Sequence, residues 1–88
     1  MMDTIGFLEL NSIAKGVEAA DIVVKTADVR LAFAKAGCPG KYYILLTGEV
    51  AAVRAAVDAA HGLEEVAGLM NDSVVIPAPH PDMIRALY

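Results

Sequence analysis

The sequence is poor in cysteine, in aromatic residues and in long apolar runs. Its 88 residues include no tryptophan, three tyrosines, two phenylalanines and one cysteine, Cys38. One chain cannot form an internal disulfide from a single thiol, which fits a reducing compartment. No uninterrupted apolar run approaches the roughly 18–20 residues of a membrane-spanning helix. The first four residues lack the basic flank and apolar run of a signal peptide, so we expect a cytoplasmic protein with no membrane partner.

Basic residues are also few. Seven lysines and arginines are scattered among eleven acidic residues, and the net charge is −4. Because no basic cluster is present to neutralise phosphates, we expect no nucleic-acid partner. His61 and His80 are far apart in sequence and lack spaced partners for metal binding or acid–base chemistry. No nucleophile with a base and an orienting group can be assembled, so we expect no enzymatic activity.

Apolar residues, by contrast, are abundant. They make up 57% of the chain, and the mean hydropathy is +0.52. Typical soluble domains are about 45–50% apolar. A chain of this length suits one domain, over residues 1–88, whose single core cannot bury such an excess. Because exposed apolar patches promote association, we expect copies of the chain to cover one another.

The order of local patterns predicts an α+β, ferredoxin-like fold, β-α-β-β-α-β, followed by a short C-terminal helix. Apolar β-rich runs predict strands, and helical periodicity predicts two longer helices, the first of which can be capped by Asn11 or Ser12. Gly and Pro mark the turns. The predicted segments are strand 4–10, helix 13–28, strand 29–34, turn 36–40, strand 41–47, helix 49–61, an irregular stretch 63–73, strand 74–76 and helix 82–87.

The same patterns predict which residues face the core. In the first helix, Lys15, Glu18, Asp21 and Lys25 form a polar stripe, and the apolar stripe opposite it contains Ile13, Val17, Ala20 and Val24. In the second helix, the predicted core stripe is Val50, Val53 and Val57. Val29, Leu31 and Phe33 are expected on one face of the second strand because strand side chains alternate. Both faces of the third strand are apolar, which predicts a central position in the sheet.

Several segments, in order, resemble the shell-protein domain of bacterial microcompartments. They are Ile5–Glu9, Ala14–Asp21, Val24–Val29, Gly48–Val53 and Ile76–His80. The resemblance implies a flat tile, either a homohexamer or a trimer of two-domain chains that looks hexameric. Such tiles join other microcompartment shell proteins in a cytoplasmic shell around metabolic enzymes, and small metabolites pass through a pore on the symmetry axis.

The resemblance also implies roles for residues of this chain. The loop between the second and third strands lines the pore, so the pore-lining residues are Gly37, Cys38, Pro39 and Gly40. Contacts between tiles fall at Lys25, beside Asp28, and at Ala78. Many hexameric members carry an arginine between the two prolines of the last segment, whereas this chain has Ala78 there.

The run Cys38-Pro39-Gly40-Lys41 is similar to the pore loop of the T-type, iron–sulfur-binding shell proteins of propanediol-utilisation compartments, which have two domains. That likeness implies a metal role for Cys38, with a [4Fe-4S] cluster shared by symmetry-related copies and used in electron transfer. A soft cluster prefers thiolates, and rotational symmetry multiplies one cysteine into several ligands. A pore thiol without any metal is the alternative.

A function of a different class fits the same order of elements. Many activities share the ferredoxin-like scaffold. The alternative is a small regulatory domain that binds a ligand and acts as a dimer.

Overall fold

A computed structural model describes residues 4–63 and 68–87. These residues form the strands β1 (Thr4–Leu10), β2 (Arg30–Gly37), β3 (Lys41–Gly48) and β4 (Met70–Ile76), and the helices α1 (Ile13–Thr26), α2 (Val50–Gly62) and α3 (Pro81–Leu87). Within these described ranges, no helix is both long enough and apolar enough to cross a membrane.

The strands form one antiparallel sheet in the order β2-β3-β1-β4. The two central strands are therefore β1 and β3, and β2 and β4 are its edges. In this order each of the two longer helices connects strands that are separated by one other strand, which confirms the predicted α+β, ferredoxin-like arrangement with a short C-terminal helix. The central position of β3 is also confirmed, because Ile44, Leu45 and Leu46 are fully buried.

Helices α1 and α2 cover one face of the sheet, which we call the helix face. The buried cluster there combines strand residues such as Leu8, Leu10 and Ile44 with small residues of both helices. Ser12 caps α1, because its Oγ accepts a hydrogen bond of 3.1 Å from the Lys15 backbone N–H. The cap satisfies one of the free donors of the first turn and fixes where α1 begins.

The predicted apolar stripe of α1 is wrong except at Ala20, which is buried. Ile13, Val17 and Val24 are 45%, 53% and 38% exposed, and the α1 residues that are buried are Gly16, Ala19, Ala20 and Val23. The helix is thus rotated by roughly a quarter turn from the predicted orientation. The physical reason is close approach, since small side chains let the α1 backbone lie directly on β3. In α2, Val53 and Val57 are buried as predicted, but Val50 is 42% exposed.

The predicted alternation along β2 is also wrong. Leu31 lies opposite Leu46, but Phe33 lies opposite Leu45, so Ala32 is an extra residue where the register shifts. A β-bulge of this kind reverses the faces of the residues that follow it. Leu31 and Phe33 therefore point to opposite faces, and Phe33 joins Phe7 on the face away from α1 and α2.

The second face of the sheet, which we call the open face, is covered only in part. Phe7 stacks on Tyr43 with ring centroids 6.1 Å apart and meets Phe33 edge to face at 6.4 Å. Helix α3 lies over the β1–β4 side of this face and has no buried residue. Between α3 and the sheet is an open apolar cavity of about 210 Å³, the sheet groove, whose walls include Phe7, Leu45, Val74, Met83 and Leu87.

The chain between α2 and β4 is shorter than predicted. The expected irregular stretch of 63–73 ends where β4 begins at Met70, since β4 pairs with β1 from there to Ile76. Part of the predicted irregular stretch, residues 64–67, lies outside the described residues, as do residues 1–3 and 88.

Candidate functional site

The expected pore residues lie at the tip of the β2–β3 hairpin. Gly37 pairs with Lys41, so Cys38, Pro39 and Gly40 form a three-residue connection. All three are exposed. Gly40 has a φ of +68°, and no atom in the described part of the chain lies within 4 Å of the position that a Cβ would occupy. A left-handed residue at the end of such a connection is common in hairpins, and glycine adopts it without a steric cost.

Aromatic side chains support the two strands below this tip. A Cβ at Gly37 would overlap the ring of Tyr43, which is held in turn by its stack on Phe7. On the helix face, a Cβ at Gly16 would overlap the side chain of Tyr42. The hairpin base is therefore packed on both faces, and the tip projects from a rigid support.

Cys38 is an exposed, free thiol at this tip. Among the residues that the structure describes, no group of three or more His, Cys, Asp or Glu side chains could hold a metal ion. The described part of one chain therefore does not form a metal site around Cys38 by itself. Beside the tip, Lys41 Nζ donates a hydrogen bond to Asn11 Oδ1, which ties the start of β3 to the segment just before α1.

The residues expected at the tile edge lie at the other end of the same strands. Asp28 precedes β2 and lines an open recess of about 260 Å³ together with Arg30, Thr47, Gly48 and Glu49. Lys25, in the last turn of α1, forms its ion pair with Asp21, at 2.8 Å, rather than with Asp28. Both side chains of this pair are largely exposed, so the pair adds little to stability.

Ala78 follows β4 and has an unusual backbone. Its φ is +47°, in the left-handed region, and its side chain is exposed. The next residue, Pro79, is buried. A left-handed alanine before a proline is sterically strained, so the buried proline and the packing around it hold this conformation in place.

The two histidines have local structural partners. His61, near the end of α2, forms a hydrogen bond of 2.8 Å with Ser73 Oγ of β4. His80 Nδ1 accepts a hydrogen bond of 3.0 Å from the Asp82 backbone N–H, at the start of α3. Both contacts are exposed: the first joins α2 to β4, and the second lies at the start of α3.

The expected pore and the expected edge are thus at opposite ends of β3. Gly37 and Lys41 pair at one end, and Arg30 and Thr47 pair near the other. The seven residue steps from Lys41 to Gly48 correspond to about 23 Å along the strand. β1 and β4 run along the same direction, because Thr4 lies opposite Gly48 and Ile5 lies opposite Ile76. The fold therefore brings residues near 28, 48 and 78 to one end, away from Cys38.

A comparison with protein-family profiles matches residues 4–79 of the chain to the BMC domain. The chain belongs to the BMC domain family. This confirms the resemblance that the separate sequence segments suggested, and the match extends over β1 through β4.

Named relatives of this BMC domain are shell proteins. The shell protein PduT of Citrobacter freundii is 42% identical over 99% of the chain, which spans 46% of PduT. PduA of Salmonella typhimurium is 35% identical over 97% of the chain, which spans 90% of PduA. A crystal structure of a microcompartment protein from Desulfitobacterium hafniense matches with a TM-score of 0.86 at 44% identity, over 99% of the chain and 47% of that protein.

The chain thus spans about half the length of PduT and of the Desulfitobacterium protein, but most of PduA. PduT and PduA are named as shell proteins rather than enzymes, in agreement with the expected non-enzymatic role.

Sequence reasoning missed several residues that shape this BMC domain. Gly16 and Tyr42 set the approach of α1 to β3, and Asn11 anchors Lys41. The glycine inside the α1 pattern was the available signal, because glycine in a helix lowers stability unless close packing requires it. Asn11 had no such signal, since its partner is thirty residues away.

Proposed function

We propose that this BMC domain is a structural subunit of a bacterial microcompartment shell in the cytoplasm. Copies associate around an axis into a flat hexamer-like tile, and tiles join one another and other shell proteins edge to edge. The named relatives that support this proposal are themselves microcompartment shell proteins. The proposal covers the role of this domain and leaves the metabolic pathway inside the shell open.

One observation carries the proposal. The hairpin tip that would line a central pore and the residues that would form the tile edge are at opposite ends of one sheet. A subunit of a ring needs this polarity, because one end must face the axis and the other must face the neighbouring tile. The exposed hairpin tip would then surround an opening for small metabolites.

The mass of the protein in solution tests this proposal against the alternative. We expect six BMC domains per particle, as six chains of this length or as three chains of double length, measured by sedimentation and mass photometry. A stable dimer would favour the small ligand-binding regulatory domain, and a single chain at micromolar concentration would contradict both. Negative-stain microscopy of concentrated samples should reveal sheets of tiles.

We further propose that Cys38 supplies one ligand to a metal centre on the ring axis, such as a [4Fe-4S] cluster used in electron transfer. The support is its exposure as a free thiol at the hairpin tip. The metal centre would require assembly, because the described part of one chain holds no group of three or more candidate ligands. When bound, an iron–sulfur cluster would supply one-electron redox chemistry.

Anaerobic purification tests the role of Cys38 separately from assembly. We expect a brown protein with bound iron and sulfide, and a colourless protein after Cys38→Ser. The matched control is Ala36→Ser, which adds the same hydroxyl to an exposed position of the same hairpin. Colourless wild-type protein with negligible iron, in particles of unchanged mass, would remove the cluster and leave a pore thiol.

A further inference from the structure

Two exposed apolar surfaces remain after the fold has formed. The first, the helix stripe, consists of Ile13, Val17 and Val24 on α1, which are 45%, 53% and 38% exposed. The second is the sheet groove between α3 and the open face. Val74, on its rim, is 46% exposed. Together they account for most of the large apolar side chains that remain exposed among the described residues.

The two surfaces lie on opposite sides of the molecule. The helix stripe belongs to the layer on the helix face, where α1 packs chiefly over β2 and β3. The sheet groove is on the open face, beneath α3 and beside β1 and β4. One chain therefore cannot cover its own groove with its own stripe. A two-fold dimer would pair like with like, whereas a rotational ring pairs unlike surfaces of successive copies.

The chemistry of the two surfaces is matched. The described walls of the sheet groove expose apolar atoms only, and its volume of about 210 Å³ is open on one side, so it can receive apolar side chains from a convex ridge. Beside the helix stripe, Lys25 pairs with Asp21 at 2.8 Å and Lys15 pairs with Glu18 at 3.1 Å. Because these charges are balanced within α1, the stripe can be covered without leaving an unpaired charge beside it.

We propose that the helix stripe of each copy packs into the sheet groove of the next copy around the ring. The occupant of the groove is thus a second copy of this chain, and the contact is heterologous. The inference rests on the proposed assembly and adds the residues that form it. It also explains why Gly16 and Ala19 are buried against the sheet while Val17 and Val24 remain exposed: the former pack within the chain, and the latter contact the next copy.

Two single variants and their mixture test the contact. Val17→Glu disables the stripe and leaves the groove intact, and Val74→Glu disables the groove and leaves the stripe intact. The particle mass of each variant should be that of a single chain instead of that of the ring. Mixed together, they should form a one-to-one heterodimer, because one intact stripe and one intact groove remain, and the two glutamates prevent the ring from closing.

The matched control is Val50→Glu, at a valine of similar exposure, 42%, that belongs to neither surface. It should keep the full ring mass. Circular dichroism verifies folding, and Val24→Glu and Met83→Glu replace either variant that does not fold. Sedimentation of each protein at one concentration gives the readout.

The outcomes separate this inference from the proposed function. If both variants keep the wild-type mass, the inference is overturned and the ring assembles through other surfaces. If only Val17→Glu dissociates and mixing yields no heterodimer, the stripes pair with each other and the inference is again overturned. If wild type itself is a single chain or a dimer, the proposed assembly fails first and the inference fails with it.

Discussion

The two faces of the sheet differ in how completely their apolar side chains are buried. On the helix face, aliphatic strand residues meet small residues of α1 and α2, and the cluster is fully buried. On the open face, Phe7, Phe33 and Tyr43 form an aromatic group that α3 covers only in part. The first face is complete within one chain. The second has an apolar groove that remains open, which is the property expected of a surface that meets another copy.

The difference shows where stability and assembly reside in this BMC domain. A fully packed core loses both transfer energy and contacts when a side chain is shortened. Shortening a half-exposed side chain at the groove removes much less of this energy within one chain. Four substitutions, taken from the largest expected effect to the smallest, can break or sharpen this contrast.

Truncation of the helix face should have the largest effect. Leu8 is fully buried, so Leu8→Ala should lower the free energy of unfolding by about 3 kcal/mol. Val74→Ala, on the groove rim, should cost less than about 1 kcal/mol because the side chain is nearly half exposed. Urea denaturation in the Val17→Glu background, where we expect single chains, measures both. Equal costs would refute the contrast.

Filling the close approach of α1 to β3 should have the next largest effect. A methyl group at Gly16 would overlap Tyr42, so Gly16→Ala should cost about 2 kcal/mol despite the better helix propensity of alanine. Gly62→Ala is the matched control, since no atom of the described residues lies within 4 Å of its Cβ position. We expect that control to be neutral or stabilising in the same denaturation experiment. A stabilised Gly16→Ala would mean that the helix is not closely packed there.

Removal of the α1 cap tests how much of the helix layer depends on local bonding. Ser12→Ala should lower the free energy of unfolding by about 1 kcal/mol, because the Lys15 N–H loses its acceptor. Ser12→Asp retains an acceptor and should restore most of that loss. Thermal unfolding followed by circular dichroism gives the comparison, and an alanine variant as stable as wild type would show that burial alone holds α1.

Relief of the strain before α3 should give the smallest effect, and it should be stabilising. Ala78 has a φ of +47°, so Ala78→Gly should relieve backbone strain in the folded state. Glycine also increases the conformational entropy of the unfolded chain, so the net increase in the free energy of unfolding should be about 0.5 kcal/mol. Ala55→Gly, at an exposed position inside α2, should instead cost about 1 kcal/mol. Destabilisation of both variants by similar amounts would contradict the strained geometry.

Much of the fold could be predicted from short segments. The strand β1, the helix α1 with a cap at Asn11 or Ser12 and the turn before Lys41 all follow from patterns within a few residues. The face of the strand or helix on which each side chain is buried could not be predicted in the same way. The bulge at Ala32 depends on pairing with β3, and the orientation of α1 depends on how closely Gly16 approaches Tyr42. Both are contacts between distant parts of the chain.

The candidate site shows the same division. The residues of the hairpin tip could be named from sequence, because Gly37, Pro39 and Gly40 mark a turn by their own backbone preferences. The distance of these residues from Asp28 and Ala78 could not be predicted from sequence. It follows from the antiparallel register of the three strand pairs.

The sequence alone determined the order of the elements, the family and the excess of apolar residues, because these are properties of composition and local periodicity. Only the tertiary structure decided which apolar residues that excess leaves exposed. Val17 and Val24 look like core residues in a helical pattern, yet they face outward once Gly16 and Ala19 lie against the sheet. The physical reason is that helix orientation is set by packing against a partner surface, which no single segment contains.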